Sequence, residues 1–465
     1  MRVLLVNPPA HPAIRGILPP RVEFSRGAFP PLGILYLAAA LRRAVPDTVV
    51  QAIDAPTSGE SAQEIARYAG KGSFDLVGIS VMTFTLLGAV ETAAEIMRLR
   101  RRIPVVAGGP HAHLYPAETL QLGLFDWVLR GEAEDTFPEL VRRIMAKEEL
   151  KGLAGLGEAP CSELIFKLDE LPFPARDLLP VESYYSVLSG LRPITTMMSS
   201  RGCPFHCVFC DRPHLGKHFR SRSAKNVVDE MEECAGLGVR EIVFYDDNLT
   251  HQRDRVREMA ELILERKLPL DWDARARVGD LDAETYQLCA RAGLKRIHFG
   301  VETGDPDLLR LLRKGITHKQ ARQAFEESRA AGIETLAYFM IGIPGETEGT
   351  LSRTLQFARE LEPDYIHFSI LIPFPGTPVY AMGQERGIIK GDPWRDFARD
   401  PRPDFEPPLW IENLSAQELR AALGKLYRRF YLRPGYLLRR TARLRSLHQL
   451  RANLRMGLSI LGLRS

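Results

Sequence analysis

At 465 residues, with 45% hydrophobic and 26% charged residues, the chain is too long for one core and too apolar to stay disordered, so two or three folded domains are expected. No run of about eighteen apolar residues occurs, and residues 1–9 stop being apolar too soon for a secretory leader, which argues against a spanning helix and for the cytoplasm. The net charge of +4 is uneven, because the twelve Lys and Arg from Arg420 onward meet no acid and leave −8 for the rest, and six Cys, three of them in one loop, suit a reducing compartment better than a disulfide framework.

Residues 1 to 150 alternate strand-length apolar runs with helix-patterned segments. Strands are expected at 3–6, 49–53, 76–81, 105–107 and 127–129, and helices at 31–41 and 89–99 among others. That order gives an α/β fold, a Rossmann-like parallel sheet with helices on both faces, whose ligand lies beyond the carboxyl ends of the strands. Those ends are Asn7-Pro8-Pro9, Ser80-Val81-Met82-Thr83, Gly108-Gly109-Pro110-His111 and Arg130-Gly131-Glu132. Their small residues and hydroxyls let a flat or extended cofactor approach the backbone closely. A nucleotide-binding or purely architectural sheet is the plainer reading, although no G-x-G-x-x-G follows a strand.

Residues 151 to 192 are dense in Gly and Pro and read as a linker, with Cys161 a bystander thiol. Alternation resumes over 193 to 390, with apolar runs at 194–198, 241–245, 271–277, 296–301, 335–341 and 365–372, each followed by a helix. The loops after them carry, in turn, three Cys, Asp246-Asp247-Asn248, Val278-Gly279-Asp280 after Arg275 and Arg277, Glu302-Thr303-Gly304, Gly342-Ile343-Pro344-Gly345-Glu346, and Pro373-Phe374-Pro375-Gly376. A parallel barrel collects its active site at such ends, and six units leave it incomplete, with a lateral opening. Cys234 and Cys289 lie in apolar helical stretches and read as core.

Residues 391 to 465 form a basic, mainly helical region. Residues 393–408 are Pro-rich and read as irregular, and helices then follow from a capping box at Ser415 and Glu418. Apolar residues at helical spacing between the arginines suit a membrane-surface or anionic-partner dock, and equally the solvated face of a cap packed on the barrel. Nucleic acid is not expected, since no recognised binding motif is present.

The most specific chemistry lies in Ser200-Arg201-Gly202-Cys203-Pro204-Phe205-His206-Cys207-Val208-Phe209-Cys210-Asp211-Arg212. Three thiolates spaced C-x3-C-x2-C can hold a [4Fe-4S] cube by three irons, and with no fourth Cys nearby one iron is left for a chelating amino and carboxylate group. The alternative is a zinc site completed by His206, His214 or His218, which a lone triplet fits poorly. The stretch resembles the cluster loop of the radical S-adenosylmethionine (SAM) enzymes, C-x3-C-x-aromatic-C. Residues 193–390 resemble their partial (β/α)6 barrel, including stretches 298–304 and 340–347. Residues 1–150 resemble the cobalamin-binding domain that precedes it in the cobalamin-dependent branch, with Ser80-Val81-Met82 like its Ser-x-Leu motif and Gly108-Gly109 like its Gly-Gly motif.

The resemblance implies a role for each matching residue. Cys203, Cys207 and Cys210 would hold the cluster, Asp246 and Asp247 the SAM amino group, Arg277 its carboxylate, Glu302 the ribose or methionyl end, and Gly342 to Pro344 would lie against adenine. Taken singly, Asp246 or Asp247 could instead cap a helix, and Arg275 and Arg277 could pair with Glu241 or Asp273. Ser80 and Thr83 would face the cobalamin tail, with Gly108 and Gly109 passing beside it and His111, Gly131 and Glu132 on the same rim. The family's Asp-x-His-x-x-Gly motif is absent, since residues 54–59 contain no His. Cobalt would then have no protein imidazole, and His111 reads as a hydrogen-bond partner.

The reaction implied is one-electron cleavage of SAM to methionine and a 5′-deoxyadenosyl radical, removal of hydrogen from an unactivated carbon, and methylation from methylcobalamin. An external reductant of flavodoxin or ferredoxin type and a small-molecule or lipid-like substrate would be its partners, in the cytoplasm or at the inner membrane face. Oxidative cyclisation or hydroxylation without methyl transfer, and a non-catalytic cobalamin and iron–sulfur sensor, are the alternatives.

Overall fold

The computed structural model describes residues 1–10, 27–211 and 216–442. Arg212, His214 and the end of the basic tail, Arg443 to Arg464, lie outside the described residues, and the membrane-dock reading falls largely on that end.

The first sheet is parallel, in the order β2-β1-β3-β4-β5, with β1 at Arg2–Asn7, β2 at Val49–Asp54, β3 at Leu76–Ser80, β4 at Val105–Gly108 and β5 at Trp127–Val128. Successive side chains of β1 enter different cores, as a strand covered on both faces requires. Leu4 and Val6 pack with helices α2 (Ala62–Lys71) and α3 (Leu86–Met97). Val3 and Leu5 pack with α1 (Leu32–Ala44) and α4 (Thr136–Ala146). The strand order reverses between β1 and β3, which opens the crevice at their carboxyl ends.

The second sheet is also parallel and runs in sequence order: β6 (Ile194–Met197), β7 (Glu241–Phe244), β8 (Asp271–Ala276), β9 (Leu294–Glu302), β10 (Glu334–Ile341) and β11 (Tyr365–Ile370). Phe244, Trp272, Ile297, Phe299, Phe339 and Phe368 point outward into one core under the helices. The alternate residues face the lumen and include polar side chains, Glu241, Asp273, Arg275, Arg296, His298 and Tyr338, beside apolar Val243, Leu336 and Met340. Cys234 and Cys289 are buried in that outer core, and burial pushes both thiols up to about 12.

The barrel stops at six strands, so β11 offers an open edge. Helix α5 (Ala416–Tyr431) covers it with two hydroxyls. Tyr427 accepts from Phe368 N–H at 3.1 Å and donates to Phe368 O at 3.0 Å, and Tyr431 does the same at Ile366, at 3.0 Å each way. Four helical residues rise about 6 Å and two strand residues about 6.6 Å, so the two spacings match. Helix α5 of the basic C-terminal region is thus a cap on the barrel, whereas Phe397 packs into the core of the first sheet.

Two other expectations change. Residues 393–408 are not wholly irregular, because Pro393 opens a helix, Pro393–Arg399, with the Asp392 side chain accepting Arg395 N–H at 3.2 Å. The linker is ordered by its contacts: Tyr185–Ser186 pairs with Gly27–Ala28, and Arg296 inside the barrel donates to Leu188 O at 2.6 Å. Among the described residues no helix is long and apolar enough to cross a membrane.

Candidate functional site

After β6 the chain forms a short ribbon, Ser200–Arg201 against Arg220–Ser221, which carries the Cys loop. Asp246, just past β7, is fully buried and accepts from Ser199 N–H at 2.9 Å, Ser199 Oγ at 2.6 Å and Ser200 Oγ. Its carboxylate is thereby committed to the stalk of the loop, whereas the neighbouring Asp247 is exposed. Val208, between Cys207 and Cys210, is the loop's anchor. It is buried against Leu312, Ile343 and Val379, its N–H donates to Leu312 O at 3.1 Å, and its carbonyl accepts Val379 N–H at 3.0 Å.

Cys203 is buried, Cys207 and Cys210 are half-buried, and all three are free of disulfides. Among the described residues no three His, Cys, Asp or Glu side chains converge as a single ion would need, and His206 and His218 are exposed. Three thiols on one anchored loop, with His206 and His218 both exposed, fit three irons of a [4Fe-4S] cube.

Three features line the mouth beside this loop. Lys314 pairs with Glu302 at 2.5 Å and feels the charge of Cys207. Burial works against its charge, but Glu302 and Cys207 outweigh burial and raise its pKa. Glu302 adopts φ 73° past a register break in β9, a left-handed conformation that costs a non-glycine residue ~1–3 kcal/mol. Gly300 makes room for the pair, since a Cβ there would stand 2.5 Å from Glu302 Oε1 and 2.6 Å from Lys314 Nζ.

Arg277 pairs with neither Glu241 nor Asp273. Its guanidinium lies 3.7 Å from the centre of the Phe205 ring in the Cys loop and donates to Lys314 O. Gly342 turns with φ 74°, and its N–H and that of Ile343 both donate to Glu346 Oε2. Pro344 is buried between them, and burial raises the Glu346 carboxyl to about 7.

The rim of the first sheet faces this mouth. Phe84, next to Thr83, packs edge-on against Phe374 at 6.0 Å and Trp394 at 6.2 Å, and His113 feels the charge of Asp211 after Cys210. Gly109 has φ 99°, and a Cβ there would meet Val81 O at 2.9 Å, whereas at Gly108 the nearest atom is Leu129 O at 3.7 Å. His111 is fully buried, with Nδ1 3.1 Å from Thr83 Oγ1 and Nε2 without a partner. Burial lowers its pKa to about 4, so the imidazole is neutral. Ser80 and Gly131 are half-buried on the same rim, and Gly131 N–H donates to His113 Nδ1 at 3.2 Å with Cys161 alongside. A neutral imidazole with an unpaired nitrogen, hydroxyls and open glycine backbone fit the amides and nucleotide tail of cobalamin.

Glu132, expected on that rim, is turned elsewhere. Its two oxygens take Arg201 at 2.8 Å, Arg220 at 2.6 Å and Ile165 N–H at 2.8 Å, while Glu134 takes Arg201 at 2.5 Å. All four side chains are buried. Glu132 therefore bolts the end of β5 to the stalk of the Cys loop and has no face left for a cofactor. Lys314, Glu134 and Arg201 escape sequence reasoning because their partners lie far away in the chain.

Residues 197–358 match the radical SAM superfamily and residues 22–141 the B12 binding domain. A Pyrococcus horikoshii protein described as an uncharacterized methyltransferase is 32% identical over 450 residues, 94% of either chain. The anaerobic magnesium-protoporphyrin IX monomethyl ester cyclase of Cereibacter sphaeroides is 28% identical over 93% of this chain and 71% of its own. Among solved structures, the cobalamin-dependent S-adenosylmethionine radical enzyme OxsB has a TM-score of 0.72 at 18% identity, covering 99% of this chain and 71% of its own, a likeness of fold.

Proposed function

This chain belongs to the radical SAM enzymes that carry a B12-binding domain, and from that premise we propose that it methylates an unactivated carbon of a small molecule. The observation that carries this reading is the three-thiol loop held by Arg201 against the strand ends of the B12-binding sheet. Bound there, the cluster and cobalamin would supply the electron that cleaves SAM and the methyl group that is transferred.

The chain's own part is holding and orienting. Cys203, Cys207 and Cys210 would hold three irons. Asp247 would meet the SAM amino group, Arg277 its carboxylate and Glu302 its ribose or methionyl end, since charged acceptors and donors suit those groups. Asp246 serves this set by fixing the loop's stalk. Gly342 to Pro344 would present backbone to adenine, with Glu346 holding the turn. On the facing rim, Ser80, Thr83, Gly108, Gly109, Gly131 and His111 would receive cobalamin. An external one-electron reductant must complete the system.

The cyclase likeness favours a second reading, radical oxidation without methyl transfer. Anaerobically reconstituted protein, given reductant and SAM labelled in its methyl group, should release 5′-deoxyadenosine and pass label to the corrinoid fraction. Nucleoside without label in that fraction would favour the cyclase-type outcome. Cys207→Ala should lose iron and all 5′-deoxyadenosine while cobalamin absorbance persists, and unchanged iron content in that variant would sink the cluster assignment.

A further inference from the structure

The barrel lumen below the Cys loop holds a polar set with no role so far. At its floor Arg296 is matched by Glu241 at 3.6 Å and Glu334 at 3.2 Å. One pleat up, Asp273 is engaged as well. It accepts Phe244 N–H at 3.1 Å and faces His298 Nε2 at 3.4 Å, while His298 Nδ1 lies 3.0 Å from the Tyr338 hydroxyl. Burial lowers the His298 pKa and keeps that imidazole neutral.

Arg275 is the next inward residue of β8 and is half-buried. Its guanidinium stacks 4.6 Å from the centre of the Tyr245 ring, and one nitrogen, Nη1, donates to Phe244 O. It makes no ion pair among the described residues, unlike Arg296 beneath it. The Nε and Nη2 edge remains, and that edge has the spacing of two oxygens of one anion. The stack on Tyr245 sets the plane of the guanidinium, so the edge is oriented before any ligand arrives.

We propose that Arg275 binds an anionic group of the substrate, a carboxylate or a phosphate, inside the lumen. The proposal rests on the enzymatic reading above and deepens it, because it names the substrate's chemistry. Arg275 lies two residues, about 6.6 Å of strand, below Arg277, whose side chain touches the Cys loop. The substrate therefore enters anion first, and its reacting carbon stands a few bonds from that anion, toward the mouth.

The probes are benzoate and phenyl phosphate, with uncharged benzamide as control, titrated by calorimetry into full-length reconstituted protein. Both anions should bind saturably and benzamide at least tenfold more weakly. Arg275→Gln should lose tenfold or more in anion affinity, and Arg275→Lys, which keeps the charge without the fork, should fall between. Equal affinity for benzamide, no saturable anion binding, or unchanged binding in Arg275→Gln would overturn the proposal. Should Arg275→Gln fail to fold, as read from its iron content, the wild-type preference for anions over benzamide decides alone. Release of 5′-deoxyadenosine by the wild type, measured in the same preparation, judges the enzymatic reading separately.

Discussion

Glu346 shows how one buried carboxyl acquires a pH dependence. Burial raises it to about 7 although Gly342 and Ile343 donate to it, and its other oxygen, Oε1, is buried without a partner. In the unfolded chain the group titrates near 4.5, so between these values the folded chain binds the proton more tightly. Its stabilising contribution is present in full below about pH 4.5 and is lost as pH rises through about 7, a change of ~3 kcal/mol. Glu346→Gln keeps a neutral group in place. Calorimetry from pH 5 to pH 7 should therefore show a flatter decline for the variant than for the wild type, and coincident profiles would refute the assignment. Residue identity alone does not reveal such behaviour: Asp246 and Asp247 are neighbours of one type, yet one is fully buried and the other exposed.

At the scale of elements, the two glycines ending β4 separate strain from ligand contact. Gly109 needs its positive φ and its close approach to Val81 O, so Gly109→Ala should cost ~1–3 kcal/mol of stability in chemical denaturation. Gly108 has open space beside it, so Gly108→Ala should change stability by less than ~0.5 kcal/mol. If cobalamin lies against that backbone, the same substitution should still weaken cobalamin binding tenfold or more while iron content is unchanged. A Gly108→Ala protein with native cobalamin affinity would move the cofactor away from β4. The edge of β11 teaches a related lesson. The helical spacing of Tyr427 and Tyr431 can be read in the chain, but their use as hydrogen-bonding partners of an edge strand depends on where the helix packs.

At the scale of the whole molecule, the two sheets are joined by a buried ionic knot. Arg201 meets Glu132 and Glu134, Arg220 meets Glu132, and behind them Arg176 and Arg222 share Glu230, the former at 2.6 Å. Removing one member of such a set leaves an uncompensated buried charge, at a cost of about 3–5 kcal/mol. Arg201→Met should therefore lower the unfolding midpoint and hasten proteolysis within residues 151–192, because the rim of the first sheet is no longer bolted to the barrel. Cleavage as slow as in the wild type would mean that the aromatic contacts of Phe84 hold the two units by themselves.

The chain by itself determined what depends on local order. Alternating apolar runs set two parallel sheets, and the C-x3-C-x2-C spacing set the cluster chemistry, because periodicity and ligand spacing are properties of neighbours in sequence. Tertiary structure alone decided that Glu132 joins the sheets instead of lining the rim, that Lys314 feels the charge of Cys207, and that Arg275 lies in the lumen with no acid paired to it among the described residues. Those outcomes depend on charges far apart in the chain being brought together out of water, and their burial, unlike their identity, is written nowhere in the order of residues.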